Sequence, residues 1–356
     1  MLNEFYKGKR VLVTGHTGFK GAWMCHVLHE MGATVYGYAL EPPTSPSLYE
    51  LSGVKDFVTT KIGDVCDLET LKNFFDEVCP EIVIHMAAQP IVRESYKNPV
   101  GTYATNVMGT VNVLECVRLC TSVKSVVNVT TDKVYRNLER EEGYREEEEL
   151  CGYDPYSNSK SCSELVTDSY RNSFLKEQGC VVSTMRAGNV IGGGDFAVDR
   201  IVPDCLRAIE AKKDIVIRNP HSTRPYQHVL EPVFAYLLVA MRQYENSSLA
   251  GAYNVGPNDE SCITTGDLVE SFCRIWKGHT GESISWVICG DGGPHEATFL
   301  KLDCSKMKKV FGWFPKWNAE KMLQKTVEWM KVYLDGGDAS VIMREQIKEY
   351  MRDDVV

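Results

Sequence analysis

A doubly wound α/β fold, a parallel sheet with helices on both faces followed by a smaller mixed lobe, is predicted by this 356-residue sequence. Three observations predict it. Short apolar runs alternate with amphipathic stretches of helical length through the first half. A glycine-rich turn joins the first apolar run to the first helix. After Arg186 the alternation gives way to loops: GNVIGGGD, RNPHSTRPYQH, NVGPNDES and CGDGGPHEA.

In chain order, residues 10–13 read as a strand, 20–31 as a helix and 34–38 as a strand. A third strand ends before Gly63. Residues 68–78 read as a helix, 81–84 as a strand and 100–119 as a long helix. A strand then ends in Thr131, residues 155–174 form another helix, and 181–185 one more strand. No linker rich in Pro, Gly or Ser separates the two parts. One unit over 1–188, completed by segments near 226–256, is therefore expected to interleave with a lobe over 189–356. The acidic run Glu146 to Glu149 reads as a solvated loop.

With 44% hydrophobic and 24% charged residues, the chain can bury a sizeable core. A net charge of -9 offers no basic footprint for nucleic acid and fits ordinary solubility. The 13 cysteines include no C-x-x-C pair, so neither a zinc site nor a disulfide framework is expected, and reduced thiols in the cytoplasm are. The amino end has no signal-peptide core, and no apolar run approaches a membrane span.

The turn after the first strand reads Thr14-Gly15-His16-Thr17-Gly18-Phe19-Lys20-Gly21. Glycines spaced G-x-x-G-x-x-G let the backbone turn tightly and approach a pyrophosphate, with helix N-terminal amides facing the anion. Such sites often carry an acid at the end of the second strand for the adenosine ribose. Here that region is Tyr38-Ala39-Leu40-Glu41-Pro42, with only Glu41 near, so looser retention of the cofactor is expected, and this position does not choose between NAD and NADP. Asp64, with Val65, is placed either to reach an adenine or to cap a local turn.

Tyr156 and Lys160 form a Y-x-x-x-K pair on one helical face. An ammonium beside a phenol stabilises phenolate, so a lowered tyrosine pKa and a base near neutral pH are expected. A surface Tyr and Lys sharing a face is the plainer alternative. Thr131-Asp132-Lys133 sets a hydroxyl, a carboxylate and an amine side by side at a strand end. That pair reads either as an acid and a base or as a structural ion pair.

Together, TGHTGFKG, HMAAQPIVRESY, TTDKVY, GYDPYSNSK, RAGNVIGGGD, RPYQHVLEP and PHEATFLKLDCSK resemble the extended short-chain dehydrogenase/reductase family, and within it the branch that dehydrates CDP-glucose. The resemblance spans nearly the whole chain. It implies a Rossmann-like NAD domain with a nucleotide-sugar-binding lobe, and conversion of CDP-glucose to the 4-keto-6-deoxy sugar. NAD takes a hydride from C4 and returns it to C6, ending as it began. Tyr156, with Thr131 and Lys160, would serve oxidation at C4. Asp132 would protonate the departing 6-hydroxyl, and Lys133, where many relatives on other nucleotide sugars have a glutamate, would take the C5 proton. That role asks for a neutral lysine.

By the same resemblance the cofactor would meet Gly15, His16, Thr17, Gly18, Phe19, Lys20, Gly21, Asp64, Val65, Ala87, Ala88, Gln89, Asn106, Tyr156 and Lys160. The substrate would meet Arg93, Asn189, Arg200, Arg224 and His295, with Arg224 the best diphosphate fork and Arg200 otherwise a surface charge. No metal, nucleic acid or membrane is implied. The 100–119 and 155–174 helices carry apolar residues on more than one face. In this superfamily such a pair often forms a four-helix interface, so a homodimer is expected, with a tetramer left open. The rivals are a 4,6-dehydratase acting on another nucleotide hexose, a 4-epimerase of the same fold, which has no need of Asp132-Lys133, and a non-catalytic dinucleotide sensor, which has no need of Tyr156.

Overall fold

The computed structural model describes residues 1–290 and 299–352. Seven parallel strands form the main sheet: β1 (Arg10–Thr14), β2 (Thr34–Ala39), β3 (Thr59–Ile62), β4 (Ile82–His85), β5 (Ser125–Val129), β6 (Val181–Ala187) and a last strand, Ala252–Val255. Their spatial order is Ala252–Val255, β6, β5, β4, β1, β2, β3. The chain winds outward from β1 to β3, then starts again on the other side with β4. The Val11↔Ile82 and Thr14↔His85 register places that reversal between β1 and β4. Ligands of such sheets bind outside the carboxyl ends at this reversal.

β4, β5 and β6 are buried along their whole length, as strands covered on both faces must be. The Phe19–Glu30 helix buries Gly21 through Leu28 continuously. A helix apolar all round is a core helix. The Leu230–Glu245 helix crosses beside it and buries twelve of its residues.

The two long helices are less regular than the sequence predicts. The first runs from Pro99 to Leu119, with a wider π-helical turn at Ala104–Met108. The second covers Pro155–Tyr170 and ends in another such turn, Arg171–Leu175. The acidic run also differs from a solvated loop. Glu147 and Glu149 are exposed, but Glu146 Oε1 accepts from Asn254 N at 2.8 Å and Glu148 accepts from Arg140 at 2.6 Å. The first bond ties the segment to the Ala252–Val255 strand, and the second braces it against its own loop.

Candidate active site

One cavity of about 970 Å³ opens at the carboxyl ends of the strands. Its floor is the β1 turn. Gly15 has φ +75°, and a Cβ there would lie 2.8 Å from the Ala87 backbone; one on Gly21 would lie 2.2 Å from Gly15 O. Only glycine permits this approach. The Phe19–Glu30 helix begins at Gly18 with no side-chain cap, so its first amides remain open to an anion. A hydroxyl ties the turn to β4. Thr14 Oγ1 accepts from Met86 N and Ala87 N, each at 3.1 Å, so its own proton goes to His85 Nδ1 at 2.7 Å. His85 Nε2 then carries the hydrogen and faces Thr110 Oγ1 at 3.2 Å.

The reacting end lies where β5 and the Pro155–Tyr170 helix meet. Asp154 caps that helix, accepting from Ser157 N at 2.9 Å and Ser157 Oγ at 2.6 Å, and Pro155 opens the first turn. The cap fixes where Tyr156 and Lys160 project. Beyond β5, Thr131 accepts from Lys133 N at 3.4 Å and starts the single turn Asp132–Val134. Thr131, Asp132, Lys133, Tyr156 and Lys160 all line the cavity.

Asp132 is buried. Thr131 donates to its Oδ1 at 3.0 Å, while Oδ2 is buried without a hydrogen-bond partner. Burial raises its pKa, against the pull of Lys133, Thr131 and Arg224. The upward shift brings the carboxyl closer to its protonated form, which can donate from Oδ2. Gly188 makes room for it, since a Cβ there would lie 3.0 Å from Oδ2.

The expected lowering of the Tyr156 pKa by Lys160 is not what the structure gives. Burial pushes the phenol up to about 12, opposed by the Thr131 hydroxyl and, more weakly, by Arg200. Lys160 is engaged elsewhere: its ammonium donates to Val129 O at 3.1 Å. Burial also lowers Lys160 to about 8, against Glu164. Lys20 too is lowered to about 7, by burial first and then by Arg200 and Lys160. Beneath them, Glu164 accepts from Thr130 at 2.5 Å, Thr184 at 2.6 Å and Arg186 at 2.8 and 3.0 Å.

Most of the expected cofactor residues line the cavity: Gly15, Thr17, Gly18, Phe19, Lys20, Gly21, Asp64, Val65, Ala87 and Ala88. Three do not. His16 turns under the loop against Gly37 and Tyr49, with Nε2 3.1 Å from Thr60 Oγ1, and burial lowers its pKa to about 4. It supports the turn from below as a neutral ring. Gln89 and Asn106 bind each other: Asn106 Oδ1 accepts from Gln89 N at 2.9 Å, and Nδ2 donates to Gln89 O at 3.1 Å and Ser159 Oγ at 2.9 Å. They shape the loop after β4.

Arg93, Asn189, Arg200 and Arg224 line the far end. Arg200 pairs with Asp195 at 2.9 Å at the cavity wall. His295 and Glu296 lie outside the described residues. Sequence reasoning missed Arg218 and Asp199, which also line this end and pair at 2.6 Å. The only signal for Arg218 was its place after the apolar run Ile215-Val216-Ile217.

The family model described as GDP-mannose 4,6 dehydratase matches residues 12–326. The chain belongs to that family. This member of the GDP-mannose 4,6-dehydratase family is 49% identical, over 98% of its length and 98% of the relative's, to a Salmonella typhimurium (strain LT2) protein named CDP-glucose 4,6-dehydratase. Among solved structures it resembles dTDP-glucose 4,6-dehydratase from Bacillus anthracis in complex with NAD: TM-score 0.76, 24% identity, 93% of this chain and 99% of that one. It also resembles a UDP-glucose-4-epimerase from Stenotrophomonas maltophila, with TM-score 0.79, 20% identity, and 92% and 100% covered. These two likenesses speak for the fold, which dehydratases and epimerases share.

Proposed function

We propose that the chain is a NAD-dependent hydro-lyase that converts CDP-glucose to CDP-4-dehydro-6-deoxyglucose and water. The observation that carries this reading is Asp132 and Lys133 on one turn beside Tyr156 in a single cavity, together with 49% identity to a relative bearing that activity's name. An epimerase needs the phenol but neither of the other two groups.

The residues present fit NAD. The glycine cradle and the uncapped helix amides suit its pyrophosphate, with Asp64 and Val65 at the adenine end. When bound, NAD supplies the reversible hydride acceptor that lets C4 be oxidised and C6 later reduced. The chain's own groups do the rest. Tyr156 takes the 4-hydroxyl proton in its anionic form, which burial disfavours and the Arg200 charge favours. Lys133, half-buried at the cavity wall, takes the C5 proton once C4 is a ketone. Asp132 protonates the leaving 6-hydroxyl from Oδ2. Arg224, Arg200, Arg93 and Asn189 hold the nucleotide diphosphate. The cofactor unit is residues 1–188 with the Ala252–Val255 strand, and the rest mainly binds nucleotide sugar.

The enzyme works in the cytoplasm as a homodimer, in deoxysugar supply for surface polysaccharide such as O-antigen. Among the described residues, no helix is long and apolar enough to cross a membrane. The dimer reading rests on Val100, Tyr103 and Met108 on one long helix and Leu165 and Phe174 on the other, exposed apolar residues on adjacent helices that Tyr103 OH and Asn158 Oδ1 join at 2.9 Å.

Incubation with CDP-, dTDP-, GDP- and UDP-glucose, each with and without NAD, followed by mass measurement, tests the reading. Loss of one water from CDP-glucose is expected. An isomer of unchanged mass would establish an epimerase instead.

A further inference from the structure

The cationic end of the cavity contains a carboxylate that the proposed chemistry does not use. Asp199 Oδ1 accepts from Arg218 Nη1 at 2.6 Å, and Arg93 Nε lies 3.9 Å from the same oxygen. The two arginines come from different parts of the fold. Arg93 belongs to the Val92–Lys97 helix after β4, and Arg218 directly follows the Ile215–Ile217 strand. All three residues line the cavity. Asp204 lies 3.7 Å from Arg218 Nη2 and also holds Arg207 at 2.5 Å, so this wall alternates in charge. Asp199 adopts φ +60°, a left-handed backbone that, after glycine, asparagine and aspartate adopt most readily. That conformation puts the carboxylate between the two guanidinium groups.

We propose that Asp199 is an internal stand-in for the substrate's diphosphate: it holds Arg93 and Arg218 toward the cavity, and the incoming nucleotide must displace it. This rests on the nucleotide-sugar reading above. A diphosphate offers the same kind of oxygen to a guanidinium as a carboxylate does, with more charge. Asp199 therefore competes with the ligand for the arginines and repels it. The pair is about one-third exposed, so the contact is weak enough to be exchanged. Its role is in specificity: neutral ligands gain nothing by opening it, whereas an anion recovers both arginines.

Calorimetric titration with CDP, and with cytidine as the ligand without phosphate, reads this directly. Asp199→Asn and Asp199→Gly both suit a left-handed backbone, so each checks the other against misfolding. Both variants should bind CDP about three- to tenfold tighter than the parent, the scale set by one or two exposed ion pairs, with cytidine binding unchanged. In an Arg218→Gln background the gain from Asp199→Asn should shrink toward nothing. Unchanged or weaker CDP binding in both variants, or an equal gain for cytidine, overturns the proposal while leaving the nucleotide-sugar reading intact. If the parent chain binds none of CDP, UDP, GDP and dTDP, the reading itself falls and takes this proposal with it.

Discussion

Asp132 and Lys133 are adjacent in sequence and opposite in duty, and their surroundings separate them. Asp132 has one oxygen under the Thr131 hydroxyl and the other buried without a partner, an arrangement suited to a proton donor. Lys133 is half-buried at the cavity wall. The two roles come apart by substitution. Asp132→Asn should slow loss of water by about two to four orders of magnitude and still let the C5 hydrogen exchange with deuterated solvent, whereas Lys133→Met should abolish that exchange. Proton NMR of the sugar reads both, and normal exchange in Lys133→Met removes Lys133 as the base. At this scale the strand-end and Y-x-x-x-K residues were legible because their order in the chain implies where they sit. His16 was not, because glycine spacing does not say which way the side chain between two glycines turns. Arg218 and Asp199 lie in loops with no period, and only the fold brings them together.

Among the elements, the Pro155–Tyr170 helix is held to the sheet by Glu164 and Arg186, both 3% exposed. Removing one partner of a buried pair strands the other charge. Glu164→Ala should therefore cost about 3–5 kcal/mol of stability, measured by urea unfolding. The Leu230–Glu245 helix has its own buried clamp. Glu231 accepts from Tyr350 OH at 2.7 Å, Trp317 N at 2.7 Å and Lys316 N at 2.9 Å. Burial pushes this carboxyl up to about 7. Because the folded chain binds that proton more tightly than the unfolded chain, the stability it contributes is full below the ordinary carboxyl pKa and is lost as pH rises through about 7. Glu231→Gln cannot titrate, so its stability should fall less than the parent's across that window; parallel pH profiles in urea would show that Glu231 does not titrate there. The helices and strands were legible from apolar periodicity. The π-helical turns were not, because the spacing of apolar residues does not register one wider turn, nor was the bond from Glu146 to Asn254, a partner distant in sequence.

For the whole molecule, the sheet order follows from strands alternating with helices, which leaves few ways to wind the chain. How subunits assemble is a separate matter, decided by what the long helices leave uncovered. Val100 is 79% exposed and Leu165 58%. A double substitution, Val100→Glu with Leu165→Glu, should convert a dimer to a monomer in sedimentation velocity, and a parent chain that already sediments as a monomer would refute this interface. The central claim is chemical: one cavity oxidises a hexose, expels water and returns the same hydrogen. Incubation of the enzyme and NAD with CDP-glucose carrying deuterium at C4 tests it most directly. The account predicts a product lighter by one water, with the deuterium at C6 and a solvent hydrogen at C5. A product that keeps the full mass of the sugar, or one that has lost the deuterium to solvent, would contradict it.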